Sequence, residues 1–195
     1  MKLRSVVVFC GASEGYDSTY REVAYELGSY LAKNNIRLIY GGAKVGLMGA
    51  LADGAWQNGG HVTGVIPNFL ETSEIANNNI TELIRVDTMH NRKMKMYELS
   101  DGIITLPGGW GTMDEMFEML TWAQLGLHKK PQGILNINGY YEPLKAMMDL
   151  MTQEGFLDEC NNKMLLTSDS IEDLIGQMEA YDAPDVPALI KKQNA

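Results

Sequence analysis

The sequence has little cysteine and little histidine: Cys10 and Cys160 are the only thiols and there are three histidines in 195 residues. That is too few for a disulfide scaffold, and no CxxC or Cys/His cluster suggests a structural metal. A reducing, cytoplasmic setting is the simplest expectation. Positive charge is also short. Sixteen Lys and Arg stand against 25 Asp and Glu, for a net charge of -9, which argues against nucleic acid or an anionic membrane as a general partner. No run approaches the ~20 apolar residues of a membrane span. Val6-Val7-Val8-Phe9 is too short for the apolar part of a signal peptide and has no cleavage pattern behind it. GxGxxG, GxxxxGK[ST] and GxSxG are all missing, which removes the usual dinucleotide fold, the P-loop NTPases and the nucleophile elbow. No repeat or linker divides the chain. One domain over residues 1–181 is expected, with the polar residues 182–195 as a tail.

What is present is alternation. Apolar runs over Ser5–Cys10, Ile36–Tyr40, His61–Ile66, Leu83–Val86, Gly102–Leu106 and Gly133–Ile137 are nearly continuous, as in strands buried on both faces of a parallel sheet. Between them lie stretches of helical period over Tyr20–Leu31, Leu47–Asn58, Arg92–Leu99, Met113–Leu125, Tyr141–Gln153 and Ser170–Tyr181, the first capped by Asp17 or Ser18. This order predicts an α/β, Rossmann-like, doubly wound and mostly parallel sheet flanked by helices. The polar stretch Asn68–Thr81 is the one long loop inside the domain, either a binding segment or a surface excursion.

In such a sheet the chemistry collects after the carboxyl ends of the strands. Three of those positions are glycine-rich: Gly11-Ala12-Ser13, Gly41-Gly42 with Gly46 and Gly49, and Pro107-Gly108-Gly109-Trp110-Gly111-Thr112. Glycine lets backbone amides close on a ligand, and a following helix adds its positive end, so an anion such as phosphate suits them. Lys44, inside the second loop, reads as a solvated lysine. Thr112 and Glu115 read as a capping box, yet a carboxylate beside an anion-binding loop is costly unless its charge is used. Arg92 and Lys93, in Met89-His90-Asn91-Arg92-Lys93, are cations where a helix start would not choose them. An anionic ligand, solvent, or pairing with Glu98 or Asp87 would each account for them.

Pro107-Gly108-Gly109-Trp110-Gly111-Thr112-Met113-Asp114-Glu115 resembles the PGGxGTxxE signature of the Lonely Guy (LOG) family of cytokinin riboside 5'-monophosphate phosphoribohydrolases, and Met89-His90-Asn91-Arg92-Lys93 resembles its MHxRK. Similarity continues through Gly11–Ser13, Gly41-Gly42 with Gly46–Gly49, Thr121–Gly126 and Asn138–Tyr141. The resemblance implies a homodimer that cleaves the N-glycosidic bond of an adenosine monophosphate, often N6-isopentenylated, without metal or organic cofactor. It implies Arg92 and Glu115 as the catalytic pair. For substrate binding it implies Glu74, Arg92, Lys93, Gly108, Gly109, Trp110, Gly111, Thr112, Met113, Asp114, Glu115 and Thr121, beside the strand-end residues Gly11, Ser13 and Gly42. Asp114 replaces a glutamate common in the family. Such proteins are also labelled lysine decarboxylases, but nothing in the sequence supports a pyridoxal phosphate site.

Glycosidic cleavage builds positive charge on the ribose, which a carboxylate answers. Met89 is the one methionine expected beside the base, and the Met-rich helix from Met113 carries more apolar surface than one buried stripe needs. The rival reading is a non-catalytic nucleotide or molybdenum-cofactor carrier, which needs the glycine loops but has no use for Glu115. A second enzyme reading is an AMP nucleosidase accepting unmodified adenine.

Overall fold

A computed structural model describes residues 2–71 and 75–184. Seven strands form one sheet: β1 Ser5–Phe9, β2 Arg37–Tyr40, β3 Val62–Pro67, β4 Glu82–Val86, β5 Gly102–Thr105, β6 Gln132–Leu135 and β7 Leu165–Ser168. Their order is β4-β3-β2-β1-β5-β6-β7 and every pairing is parallel, so the sheet is wholly rather than mostly parallel. The strands expected from apolar runs are all present, with ends shifted by one or two residues. β1, β3, β5 and β6 are buried along their whole length, as their continuous Val, Ile and Leu content requires once helices cover both faces.

Among the described residues seven α-helices accompany the strands: α1 Ser18–Lys33, α2 Gly46–Gln57, α3 Met89–Glu98, α4 Trp110–Gln124, α5 Glu142–Gln153, α6 Glu159–Asn162 and α7 Ile171–Ala180. Leu27 of α1, Leu51 of α2 and Leu174 of α7 join Val6, Val8, Leu38 and Ile104 in the larger core on one face. On the other face Met96 of α3 and Met119 of α4 pack on Val7, Ile39 and Ile103, while Met116 meets Ile134 and Tyr141. Asp17 is the cap of α1, its carboxylate accepting from the Thr19 amide at 2.9 Å.

Two elements escaped the sequence reading. β7 is a half-buried edge strand of four residues, LLTS, with no continuous apolar run, and α6 is a single turn. The edge strand β4 is also partly exposed, unlike the central strands. Among the described residues no helix is long and apolar enough to cross a membrane. The strand order also fixes the position of a crevice. β1 lies between β2 and β5, so the winding reverses there and the loops after β1, β2 and β5 open a cleft at one sheet edge.

Candidate active site

That crevice holds a cavity of about 530 Å³, with mostly apolar walls and a few convergent polar groups. Its floor is Arg92 and Glu115. Arg92, the fourth residue of α3, is 9% exposed and leaves the helix end for the sheet edge. Its Nε donates to the Val65 carbonyl at 3.1 Å, its Nη2 approaches the Gly41 carbonyl at 3.4 Å, and its Nη1 donates to Glu115 Oε1 at 2.9 Å. Gly41 is required for this. A Cβ there would lie 2.1 Å from Arg92 Nη2. The partner of Arg92 is therefore neither solvent nor Glu98 nor Asp87: Glu98 pairs with Lys95 and Asp87 accepts from Asn68.

The capping box expected from Thr112 and Glu115 is not formed. α4 begins one turn earlier, with Gly109 as an extended N-cap residue that offers no side-chain bond. Thr112 and Glu115 are both buried on the helix face toward the sheet. The first helical bond runs from the Met113 amide to the Gly109 carbonyl at 3.1 Å, which leaves the amides of Trp110, Gly111 and Thr112 without an acceptor inside the helix. With no side chain capping them and the positive helix end behind them, they suit an anion. Gly108 fits a tight space: a Cβ would lie 2.1 Å from Thr112 Oγ1 and 2.9 Å from the Gly11 nitrogen.

Burial pushes the Glu115 carboxyl above its ordinary range, while the Arg92 charge pulls it back; Asp114 adds to the rise. Lys93 lies outside the cavity wall. Its Nζ pairs with Asp114 at 3.1 Å and Glu118 at 2.9 Å. Burial alone would lower this lysine, but the two carboxylates outweigh burial and leave it raised. Lys93 thus balances two acids that would otherwise oppose an anion at this helix end.

Of the residues expected at the site, Gly11, Ser13, Arg92, Gly108, Gly109, Gly111, Thr112, Asp114 and Glu115 line the cavity. Gly42 stands behind it in a left-handed turn (φ 76°), its carbonyl accepting from the Asn77 amide. Through that bond, and one from the Lys44 amide to Ile75, the end of the Asn68–Thr81 loop is tied to the second glycine loop. Glu74 lies outside the described residues. Trp110, Met113 and Thr121 project elsewhere: Trp110 is 94% exposed and Thr121 is exposed further along α4, while Met113 packs beside Met116 and Tyr141. Met89 lines the cavity as expected, joined by Met48 and Met96. Tyr140 and Tyr20 at its rim were missed. The strand-end rule applied to β6 would have pointed to Tyr140, but only the glycine-rich strand ends drew notice.

A family model described as "Possible lysine decarboxylase" matches residues 48–178. The cytokinin riboside 5'-monophosphate phosphoribohydrolase LOG1 of Arabidopsis thaliana is 42% identical over 180 residues, 92% of this chain and 84% of its own. LOGL2 of Oryza sativa subsp. japonica, a probable enzyme of the same name, is 43% identical over 180 residues, 92% of this chain and 74% of its own. The chain belongs to the LOG family. Against the decarboxylase wording, no lysine among the described residues lines the cavity, whereas a pyridoxal phosphate enzyme needs one for its Schiff base. Two solved structures share the LOG chain's fold. One is a molybdenum cofactor binding protein from Rippkaea orientalis, with TM-score 0.67 and 23% identity, covering 92% of this chain and 98% of its own. The other is the molybdenum cofactor carrier protein of Chlamydomonas reinhardtii, with TM-score 0.68 and 19% identity, covering 93% and 100%. At these identities the likeness is one of fold.

Proposed function

We propose that this LOG-family chain is an N-glycosyl hydrolase that cleaves nucleoside 5'-monophosphates, N6-modified AMP and AMP itself, into free base and ribose 5-phosphate. The observation that carries the reading is the buried Arg92–Glu115 pair standing one helical turn from uncapped amides at the start of α4. The amides of Trp110, Gly111 and Thr112 hold the 5'-phosphate, and this anchor sets the ribose over Glu115. As the bond to the base breaks, positive charge grows on C1' and O4' and negative charge leaves with the purine. The Glu115 carboxylate stabilises the first and orients or deprotonates the attacking water. Arg92 favours the ionised form of that carboxylate against the effect of burial and fixes its position, so the stabilising charge is oriented before the reaction begins. Met48, Met89 and Met96 supply apolar wall for the base. No metal or organic cofactor enters this scheme.

A carrier would use the same cradle but gains nothing from a carboxylate whose burial already raises its pKa. The reading extends to a homodimer. Trp110, Met113, Phe117 and Thr121 fall at offsets 0, 3, 7 and 11, one stripe of α4. Trp110 is 94% and Phe117 37% exposed, so these two aromatics present apolar surface that a second copy would cover. It would also give Trp110 and Thr121, which lie outside their own cavity, a place at the subunit boundary.

The test is a chromatographic assay of base release from AMP and isopentenyladenosine 5'-monophosphate, with both nucleosides as controls. Base from the monophosphates and not from the nucleosides is the expected result. No release from a folded sample would return the chain to the carrier reading.

A further inference from the structure

After β6 the chain turns through Asn138 (φ 51°) and Gly139 (φ 69°) and sets two tyrosines side by side against the outside of the Leu106–Gly108 turn. The buried Tyr141 donates its hydroxyl to the Leu106 carbonyl at 2.7 Å. Tyr140 donates to the Gly108 carbonyl, also at 2.7 Å. Between them the Pro107 carbonyl accepts from the Gly11 amide at 3.0 Å, and the next carbonyl, Gly109, takes the first bond of α4. Four successive carbonyls are thus each held by a defined donor. In a planar trans peptide the N–H points opposite to the C=O, so holding a carbonyl aims the following amide.

We propose that Tyr140 is a positioning residue for the anion cradle. By holding the Gly108–Gly109 peptide, its hydroxyl aims the Gly109 amide, which adjoins the three uncapped amides at the start of α4, at the substrate phosphate. The inference rests on the phosphoribohydrolase reading for the identity of the anion. It does not rest on it for the geometry.

Tyr140 and Tyr141 differ in what they can reveal. Tyr141 is a core side chain packed with Met116 and Ile134, so its loss would damage the fold. Tyr140 is 40% exposed and lines the cavity rim. Its ring stands edge-on to Tyr20, at 6.0 Å, and to Tyr141, at 5.0 Å, contacts that phenylalanine keeps. The turn that carries it is anchored independently. Asn138 Nδ2 donates to Asp17 Oδ2 at 2.9 Å, and the Tyr141 amide donates to Asn136 Oδ1 at 2.8 Å. Tyr140→Phe therefore removes one hydrogen bond from the cradle and little else.

The experiment compares wild type with Tyr140→Phe in three readouts: kcat and KM for AMP, calorimetric binding of ribose 5-phosphate, and thermal unfolding. Loss of one aimed bond in the cradle predicts KM and the ribose 5-phosphate dissociation constant rising together by roughly 5- to 10-fold, with kcat within about twofold and the melting temperature nearly unchanged. Unchanged ribose 5-phosphate binding would overturn the proposal, as would a fall in kcat and melting temperature with KM unmoved. If wild type bound ribose 5-phosphate but released no base, the hydrolase reading would fail, while weaker binding by the variant would still uphold the role of Tyr140. A wild type that bound no ribose 5-phosphate would overturn both.

Discussion

Glu115 sits where two opposing effects meet. Burial favours its neutral form, and Arg92 at 2.9 Å favours the charged one; the balance leaves the carboxyl above its ordinary range. Hydrolysis needs the charged form, so activity is lost as pH falls through this raised value. The acid limb of kcat/KM is accordingly expected above the ~4.3 of an unperturbed glutamate. A profile flat down to that value would remove Glu115 from the ionisation that matters. Cys10, buried beside the pair, is also pushed up by burial and by the Glu115 charge, which favours its neutral thiol over the nucleophilic thiolate. At this scale the sequence singled out Arg92 and Glu115, which the structure joins, but the capping box read at Thr112 and Glu115 is not formed. Thr112 and Glu115 satisfy a capping box by spacing, and nothing local says that Glu115 instead meets a guanidinium 23 residues away in the chain. The conflict that the sequence did show, cations at a helix start and a carboxylate beside an anion loop, is resolved by joining the two.

Elements bring those residues together through close approach. β2 ends at Tyr40, and Gly41 leaves the room through which the Arg92 guanidinium reaches the strand ends. Gly41→Ala puts a methyl 2.1 Å from Arg92 Nη2, which must then shift away from Glu115. A displacement of that kind in a catalytic pair is expected to lower kcat about 100-fold. A steady-state assay beside a far-ultraviolet spectrum checks this, with full activity in a folded variant as the contrary result. Most elements were legible because buried parallel strands and amphipathic helices have strong patterns. β7 was not, since an edge strand need bury only part of its surface and LLTS shows no run long enough to stand out. The start of α4 was misplaced for a related reason: a helix whose N-cap is a glycine lacks the side-chain cap by which helix starts are recognised in sequence.

For the whole molecule, the parallel order β4-β3-β2-β1-β5-β6-β7 is what converts three separate glycine loops into one crevice. The doubly wound, parallel class of the sheet was inferable from the alternation of strand and helix. The convergence of Arg92, Gly41 and Val65 was not, because it depends on which strands become neighbours. The outer stripe of α4 has its own expectation. Light scattering after size exclusion should give twice the 21.6 kDa of the chain, and Phe117→Asp should shift it toward the monomer. A monomeric wild type would contradict the dimer and leave the cavity chemistry untouched.

In the proposed reaction the buried Arg92–Glu115 pair performs glycosidic cleavage above an anion-anchoring helix end. Glu115→Gln keeps an acceptor for Arg92 Nη1 and removes the charge, with a stability cost of about 1–3 kcal/mol. Arg92→Ala, which strands a buried carboxylate, is a poorer probe because it should cost about 3–5 kcal/mol. The decisive measurement is base release from isopentenyladenosine 5'-monophosphate by Glu115→Gln, made alongside its binding of ribose 5-phosphate. A loss of turnover of about 1,000-fold or more, with phosphate binding retained, is the predicted result. Turnover near that of wild type would contradict the account.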